Sequence, residues 1–367
     1  MLITRPPNAT SFSLNPNNVR IFADSFPFAQ TTFPLMVLRV KCDNQSYDIG
    51  KPPLSIDGGL YADMDISAYL KKHATVIPKP TFDGTYGLVQ VHPLQPYSLE
   101  SFVGNQDEFT TRFQHPDEYY VMKGGISESL LSALQTDNLD TFYLFRNQFM
   151  TWQPQSTPFM SVQPISLYYT PYANQDLSNC KLKTVISYQS GSPLEIISDP
   201  FTIQAYAVHE FNLSPVLLDN AMNVQSYSVS ILSENDSPLC EAHHFHRMKG
   251  WHQANLVYRN SLGVFDSMSF PNPTTITADL EKDFPQGSFA IADNALIAEV
   301  KELYPPLLTT EFRRYLRELV LSEEVYWYHS GELTRISIAT ESIDDYSTYD
   351  TVHQSRIRVA LPQNAYI

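Results

Sequence analysis

The chain has 367 residues, and its 24 Lys and Arg against 39 Asp and Glu give a formal net charge of −15. This length accommodates two or three domains of ordinary size. The acidic balance argues against a nucleic-acid partner, because phosphate binding needs a basic surface patch. Tyr (22), Phe (21) and Pro (26) are frequent and Gly (13) is scarce, which favours strands and fixed turns over helices.

The cysteines and the N-terminus bear on the compartment. Cys42, Cys180 and Cys240 are odd in number and far apart, which favours free thiols over a disulfide framework. The first twelve residues, MLITRPPNATSF, have no apolar core after a basic start, so we expect no secretory signal. No run approaches 18 consecutive apolar residues, so we expect no membrane span.

Residues 1–100 predict an N-terminal β-sandwich of immunoglobulin or fibronectin type III character, because short extended runs alternate with turn clusters. Phe33–Val40 is apolar enough for a central strand. Leu54–Ile66 predicts an extended pair around an Asp-Gly-Gly turn, and Ser67–Lys72 predicts a single helical turn.

Residues 101–160 predict a mixed connecting region with a short helix at Ser127–Leu134, which begins with a serine and contains no β-branched residue. Residues 161–272 predict a second β-sandwich. Its strand signals, each bounded by Pro, Asn, Asp or Gly, are Ile165–Thr170, Lys181–Tyr188, Phe201–Val208 and Val224–Leu232.

The stretch Trp251–Phe270, WHQANLVYRNSLGVFDSMSF, predicts a hairpin that closes the second sandwich. Extended runs at Leu256–Arg259 and Phe265–Phe270 flank a break in the pattern. Asn260 favours a turn at this break, and Gly263 can adopt the positive φ that most residues avoid. No residue in the stretch has a catalytic pattern.

Residues 273–367 predict a small α+β domain. A helix is expected over Glu311–Leu321, where two threonines can cap the N-terminus and apolar residues recur at i, i+3, i+4, i+7 and i+8. Val325–Ala339 predicts a hairpin and Ser355–Leu361 a final strand. The predicted fold class is therefore mainly β, with tandem immunoglobulin- or fibronectin-III-like sandwiches followed by a small α+β C-terminal domain.

One cluster has the chemistry of metal ligands. His244 and His246, at i and i+2, would share one face of a strand, and Cys240 could add a thiolate. The spacing matches no paired-ligand pattern, so we interpret the segment as a polar surface strand and predict no metal. No Gly-x-Ser-x-Gly, Walker or Gly-x-Gly-x-x-Gly pattern is present, and we predict neither catalytic residues nor a cofactor.

Aromatic residues on both faces of predicted strands raise a separate question. Their outer rings would lie either against a neighbouring protein or against a stacked saccharide. Tyr and Trp are enriched at protein interfaces, so a protein–protein interface is the preferred interpretation. The interface candidates are Trp251, Tyr258, Tyr326, Trp327, Tyr328 and Tyr168.

Several segments resemble structural proteins encoded by phages and prophage-like elements of Bacteroidetes. The hairpin is similar to their Trp…(Tyr/Trp)-x-Asn-x-x-Gly-x-x-Asp-x-x-x-Phe pattern, with matches at Trp251, Tyr258, Asn260, Gly263, Asp266 and Phe270. Phe149–Pro154 followed by Gln163–Tyr168 resembles their Leu-Thr-Trp-Gln-Pro…Gln-Pro-Glu-Tyr-Leu-Tyr segment, although Ile165-Ser166 replaces Glu-Tyr. Leu316–Tyr326 resembles their helix-to-hairpin step, and Asp57–Ser67 the end of their first sandwich.

The resemblance implies a component of a phage tail or of a related injection machine, with no catalytic residue to carry over. We therefore predict a non-enzymatic structural protein of the virion, made in the host cytoplasm without a signal peptide. Its partners would be other virion or tail proteins and copies of itself in a ring or other multimer.

Two alternatives belong to other classes. The first is a carbohydrate-binding adhesin or receptor-binding protein at the tail tip, with a surface glycan as its ligand. The second is a hydrolase on a β scaffold, which would need two carboxylates opposed across a cleft.

Overall fold

The structure of the chain is a computed structural model. The residues that it describes are 2–5, 9–23, 35–56, 59–82, 86–104, 109–126, 147–160, 163–171, 174–213, 223–248, 253–271, 273–276, 297–305, 310–338 and 357–362. Strands predominate in these residues, and two short helices accompany them.

The N-terminal strands, all but one of which form the first sandwich, are Leu2–Arg5 (β1), Thr10–Phe12 (β2), Asn18–Ala23 (β3), Leu35–Cys42 (β4), Gln45–Lys51 (β5), Leu54–Ile56 (β6), Gly59–Asp65 (β7), Gly87–Pro93 (β8), Gln95–Gly104 (β9), Phe109–Gln114 (β10) and Tyr119–Met122 (β11). One sheet has the order β1-β3-β7-β6. The other has the order β2-β11-β9-β4-β5, with β10 also paired to β9. These orders correspond to the ABED and GFCC′ sheets of an immunoglobulin-type sandwich.

The core of the first sandwich follows from alternation along its strands. Ile21 in β3 and Val40 in β4 are fully buried, and they belong to one apolar cluster shared by the two sheets. Helix α1, Ser67–His73, adds Leu70 to this cluster. The predicted strand pair before it and the predicted helical turn are both confirmed. The sandwich continues to Met122, beyond the predicted limit at residue 100, because β9, β10 and β11 complete its larger sheet.

The strands of the second sandwich are Ser156–Phe159 (β12), Ser166–Tyr169 (β13), Leu177–Tyr188 (β14), Leu194–Ile197 (β15), Phe201–Ile203 (β16), Ala207–Asn212 (β17), Val224–Leu232 (β18) and His243–Arg247 (β19). One sheet has the order β12-β19-β18-β14-β15, with β16 also paired to β14. The other has the order β13-β17-β8. Residues from both sheets, such as Leu182 and Phe211, share one apolar core.

Strand β8 joins the two sandwiches. It pairs with β17 from Ala207 opposite Pro93 to Asn212 opposite Gly87. After the single residue Leu94, the chain continues as β9, which belongs to the first sandwich. The three-stranded sheet of the second sandwich is thus completed by a segment that precedes its partner strand β17 by more than a hundred residues.

The C-terminal strands are Gln253–Arg259 (β20), Phe265–Pro271 (β21), Thr274–Ile276 (β22), Ile297–Leu303 (β23), Val325–His329 (β24), Glu332–Ile338 (β25) and Ile357–Pro362 (β26). They form one antiparallel sheet in the order β21-β20-β24-β25-β26-β23-β22. The predicted hairpin is present as β20 and β21, but it does not close the second sandwich. Its strand β20 pairs with β24, so the hairpin is the edge of the C-terminal sheet.

Helix α2, Thr310–Leu321, covers one face of this sheet. Its predicted apolar stripe is buried at Phe312, Tyr315, Leu316 and Leu319. The predicted helix, the β24–β25 hairpin and the last strand are confirmed.

The predicted fold class is confirmed: the described chain is mainly β, with two sandwiches followed by an α+β unit. The predicted helix at Ser127–Leu134 lies outside the described residues. Among the residues that the structure describes, neither helix has the length and apolar character needed to cross a lipid bilayer.

Candidate functional site

The turn between β20 and β21, residues 260–264, is called the hairpin loop here. Asn260 holds it together: its backbone N–H donates to the Val264 carbonyl oxygen at 2.8 Å, and its side-chain oxygen accepts from the Val264 N–H at 3.3 Å. Gly263 has φ +85° and donates its N–H to the Asn260 carbonyl oxygen at 3.0 Å. Asn260 and Gly263 are therefore the turn-forming residues that the sequence predicted.

The first sandwich contacts the hairpin loop through backbone on both sides. A Cβ at Gly263 would collide with the carbonyl oxygen of Lys123, and a Cβ at Gly124 would collide with that of Leu262. Gly125 donates its N–H to the Ser261 carbonyl oxygen at 2.8 Å. Only residues without a side chain allow this approach, so the glycines position the first sandwich against the C-terminal sheet.

The segment after residue 146 contacts the same loop. The indole Nε1–H of Trp152 donates to Ser261 Oγ at 2.8 Å. Thr151 Oγ1 donates to Asp266 Oδ1 at 2.6 Å, and Gln153 Nε2 lies 3.4 Å from the same oxygen. Two segments that the sequence singled out separately, Phe149–Pro154 and the hairpin, therefore form one contact.

Helix α2 provides the third set of contacts. Glu318 Oε2 accepts from the Ser261 N–H at 2.8 Å. The Tyr315 hydroxyl donates to the Ser267 carbonyl oxygen in β21. Just beyond the helix, Ser322 Oγ donates to the Arg259 carbonyl oxygen at 2.8 Å. Ser261 therefore forms hydrogen bonds with three parts of the chain: Gly125 after the first sandwich, Trp152 in the connecting segment and Glu318 in the helix.

Asp266 is the most electrostatically unusual group at this loop. It is 2% exposed, and its Oδ2 accepts from Asn260 Nδ2 at 2.8 Å. Burial raises the pKa of this carboxyl to about 7, although the hydrogen bonds from Thr151 and Asn260 act in the opposite direction. The carboxyl bonds to neighbouring elements, and it is a structural group without solvent access.

Apolar packing encloses the polar contacts. One buried cluster contains residues from all three units, and we call it the junction cluster: Phe12, Ile77, Leu94, Met122, Ile126, Met150, Tyr168, Val208, Val257, Leu262, Val264, Phe265 and Tyr326. Residues from both sandwiches and from the C-terminal sheet lose solvent contact together here. The three units are consequently held in one arrangement by a shared core.

The predicted interface aromatics lie inside the chain. Tyr168 and Tyr258 are 1% and 0% exposed, and Tyr326 and Trp327 are 8% and 7% exposed. Trp327 packs beneath α2, whereas Tyr326 on the other face of β24 packs in the junction cluster. Both faces of β24 are covered by this chain, and the burial of all four rings leaves little of their surface for contact with a partner protein or glycan.

The two remaining interface candidates differ. Tyr328 is half-buried beside Phe82, with ring centroids 5.4 Å apart. Trp251 lies outside the described residues.

The histidine–cysteine segment does not form a constellation. His244 and His246 share the outer face of β19, where His244 is exposed. Cys240 is buried in the core of the second sandwich and receives a long contact, 3.4 Å, from the Ile231 N–H. Burial raises the pKa of this thiol to about 12. In the part of the chain that the structure describes, no group of three or more His, Cys, Asp or Glu residues could hold a metal ion.

Sequence reasoning missed the first-sandwich side of the junction. Gly124 and Gly125 are adjacent, and this visible turn signal could have marked the segment. Asn15 supports it: its side-chain amide donates to the Ile126 carbonyl oxygen at 2.8 Å and accepts from the Ile126 N–H at 2.9 Å. The partners of these groups are distant in sequence, so no local pattern identifies them.

Comparison with known proteins places no constraint on function. No family model and no curated protein matches this chain. The chain is similar to the solved structure of the full extracellular region of plexin A4, with 9% sequence identity and a TM-score of 0.18. The matched region covers 96% of this chain and 35% of that chain. At this TM-score the similarity says nothing about the fold or the function of this chain.

Proposed function

We propose that this chain is a non-enzymatic structural component of a phage tail or phage-like particle. It would act through contacts with copies of itself and with other particle proteins. The observation that carries the proposal is the junction at the hairpin loop, where three units meet. The residues of the phage-like motifs, Trp152, Asn260, Gly263 and Asp266, make or permit the contacts of this junction.

A fixed arrangement of units is what a building block requires. Contacts at several points of a particle reinforce one another only when their geometry allows simultaneous engagement. In this chain, the junction cluster, the strand shared by two sandwiches and the contacts of Ser261 all restrict relative motion of the units. A chain of loosely tethered sandwiches would lack that property.

The buried polar groups at the junction support the same role. Asp266 bonds to Thr151 and Asn260, and the side chains of Gln163 and Ser269 bond at 2.8 Å. Each of the four residues Asp266, Asn260, Gln163 and Ser269 is 3% exposed or less. Buried polar networks of this kind specify one arrangement of packed elements when their members are paired.

Mass spectrometry of purified particles tests the proposal. Particles would be prepared from the strain that encodes the chain, by density gradient, and compared with the total proteins of that culture. We expect the chain to be enriched in the particle fraction at a fixed ratio to other particle proteins. A chain that is expressed in the culture but absent from the particles contradicts the proposal.

A glycan array separates the carbohydrate-binding alternative from this proposal. Because Tyr168, Tyr258, Tyr326 and Trp327 are buried, the aromatic platform that the sequence indicated is not accessible. We expect the folded protein to show no saturable signal on the array. Saturable binding to one glycan class would replace structural assembly with receptor recognition as the better-supported function.

A further inference from the structure

The outer face of the smaller sheet in the first sandwich carries an apolar row. Phe22 in β3 is the Cα partner of Tyr61 in β7, and Tyr61 is the partner of Leu54 in β6. The neighbouring residues Ile21 and Ala62 are buried in the core. Because side chains alternate along a strand, Phe22, Tyr61 and Leu54 project from the opposite, outer face. We call these three residues the outer row.

The apolar side chains of the outer row are accessible to solvent. Leu54 is 64% exposed, and Phe22 and Tyr61 are half-buried with ring centroids 4.9 Å apart. Gly59 accommodates the rings, because a Cβ at this position would collide with the ring of Phe22. Outer faces of sandwich sheets are ordinarily polar, so an aromatic pair continued by an exposed leucine has the composition of an interface centre.

Charges beside the row are balanced. Arg20 and Asp63 are cross-strand partners, and the guanidinium donates from Nε and Nη2 to the two carboxylate oxygens at 2.7 and 2.8 Å. The guanidinium carbon of Arg20 also lies 5.9 Å from the ring centroid of Tyr61. The chain as a whole has a net charge of −15, so two copies repel each other on average. Arg20 and Asp63 lie side by side on this face, with Asp65 two residues further along β7 and Lys51 Nζ donating to the Asp63 carbonyl oxygen at 2.7 Å.

We propose that the outer row is an isologous contact between two copies of this chain. A two-fold axis through the face would place the same row of each copy against the other, as two sheets pack in a sandwich. The same operation brings Arg20 of one copy towards Asp63 of its partner and Asp63 towards Arg20. A positive–negative pair is therefore complementary to itself in this arrangement. The inference rests on the proposed structural role and specifies one of its contacts.

A second copy fits this face better than a saccharide does. Aromatic rings stack on sugars, but Leu54, the most exposed member of the row, offers an aliphatic surface without a hydrogen-bonding group. Burial of the three apolar side chains together favours a protein surface of the same character.

The size of the face predicts a weak dimer. Four strands of 3 to 7 residues at about 4.8 Å spacing give a face well below the ~800 Å² per partner of a standard stable interface. We therefore expect reversible dimers in the micromolar range. Repetition of such a contact in a particle would supply the remaining stability.

Sedimentation-velocity ultracentrifugation of the full chain tests this contact between about 1 and 100 μM. We expect the wild-type protein to shift from monomer to dimer over this range. Leu54→Glu adds a charge to the most exposed apolar residue of the contact and should weaken dimerisation by at least tenfold. Leu54→Ser removes apolar area without adding charge and should weaken it less. Circular dichroism would verify that each variant is folded.

Ile197→Glu is the matched control. Ile197 is 49% exposed on the outer face of β15, where its Cα partner Lys183 pairs with Glu195 at 2.8 Å. The next strand places Ser230 opposite Lys183, so no aromatic row continues from Ile197 across these described strands. We expect its dimerisation to equal that of the wild type. A wild-type monomer at 100 μM overturns the inference, as does an equal loss of dimer in Leu54→Glu and Ile197→Glu.

The test of the outer row and the test of the proposed structural role can fail independently. A chain found in particles that shows no effect of Leu54→Glu on dimerisation refutes the outer row and leaves the structural role intact. A chain that dimerises through the outer row but is absent from particles refutes the structural role instead. Saturable binding of a saccharide that Leu54→Glu abolishes would overturn the assignment of a second copy to this face.

Discussion

Thr151 and Asp266 are separated by 115 positions in the sequence, yet the Thr151 hydroxyl donates a 2.6 Å hydrogen bond to the Asp266 carboxyl. This bond joins the segment between the sandwiches to the edge strand of the C-terminal sheet. The carboxyl also receives Asn260 Nδ2 at 2.8 Å. The buried Asp266 side chain thus links the segment around Thr151 to the hairpin loop. Substitutions at these residues can therefore test the junction.

Replacement of Thr151 by valine tests that bond. The substitution keeps the shape of the side chain and leaves a buried carboxyl with one donor fewer, so we expect a loss of about 1–3 kcal/mol in the free energy of unfolding. Urea denaturation monitored by tryptophan fluorescence would measure it. Thr202→Val, at an exposed position of β16, is the control and should change stability by less than about 0.5 kcal/mol. Equal effects of the two substitutions would contradict the role of Thr151.

Gly263→Ala tests the close approach of the first sandwich. Gly331 provides a matched comparison, because it has φ +90° and nothing within 4 Å of an added Cβ, whereas Gly263 has φ +85° and faces the Lys123 carbonyl oxygen. Both substitutions incur the strain of a left-handed backbone, roughly 1–2 kcal/mol. Only Gly263→Ala adds overpacking, which we expect to cost about 1–3 kcal/mol more. Thermal or urea unfolding of both variants gives the difference, and a difference near zero would show that the backbones can separate.

The raised pKa of Asp266 predicts a pH dependence of stability. Its folded-state pKa is about 7 and its ordinary value is 3.8, so the folded chain holds a proton in this interval that the unfolded chain releases. The contribution of this group to stability therefore falls as pH rises from about 4 through 7, by up to about 1.4 kcal/mol per pH unit. We expect the stability of wild type minus that of Asp266→Asn to decline between pH 5 and 8. A difference that is constant with pH would show that Asp266 does not titrate there.

Buried histidines predict the opposite slope at lower pH. Burial lowers the pKa of His209 to about 4 and that of His243 to about 3, below the ordinary 6.5. The unfolded chain therefore binds protons at these sites between about 4 and 6.5, and stability is lost as pH falls through that window. His209 Nε2 accepts from the Gln204 N–H at 2.9 Å, which requires the neutral ring. His209→Gln should flatten the acid limb of a stability–pH curve, while an unchanged limb would exclude His209 as its source.

Trp327→Ala distinguishes a core residue from an interface residue. Trp327 lies beneath α2 and is 7% exposed, so its truncation should cost about 3–5 kcal/mol of stability. We expect no change in the dimerisation measured by sedimentation when the variant is folded. A variant of wild-type stability with impaired association would restore Trp327 to the interface that the sequence indicated.

Local sequence patterns predicted where strands and turns lie better than they predicted which strands pair with each other. Asn260 and Gly263 identified a turn because their conformational preferences act within a few residues. The assignment of the hairpin to the second sandwich was wrong because the partner of β20 is β24, which begins more than sixty residues after β20 ends. Alternating hydrophobicity indicates that a strand has one apolar and one polar face, but it does not indicate which distant segment covers each face.

The aromatic candidates show the same limit. Tyr326 and Trp327 were correctly expected to lie on opposite faces of one strand, and the sequence could not reveal that α2 and the sandwiches cover those faces. Strand β8 was not predicted at all, because its alternation is irregular and its partner β17 is remote. Conversely, the two motifs around Trp152 and Asn260 were found separately, and only the fold shows that they touch.

The strand β8 shared between sandwiches has a consequence for biosynthesis. Ribosomes add roughly 5–20 residues per second, so β8 emerges about 6–25 s before its partner β17, which lies 114 to 125 positions later in their paired register. During that interval the following strand, β9, has its own partner β4 already available. The three-stranded sheet of the second sandwich therefore becomes complete only after β17 has been synthesised, long after its strand β8. Until then, β8 has no native partner among the described strands, and its unpaired backbone is where a chaperone or another nascent chain would bind.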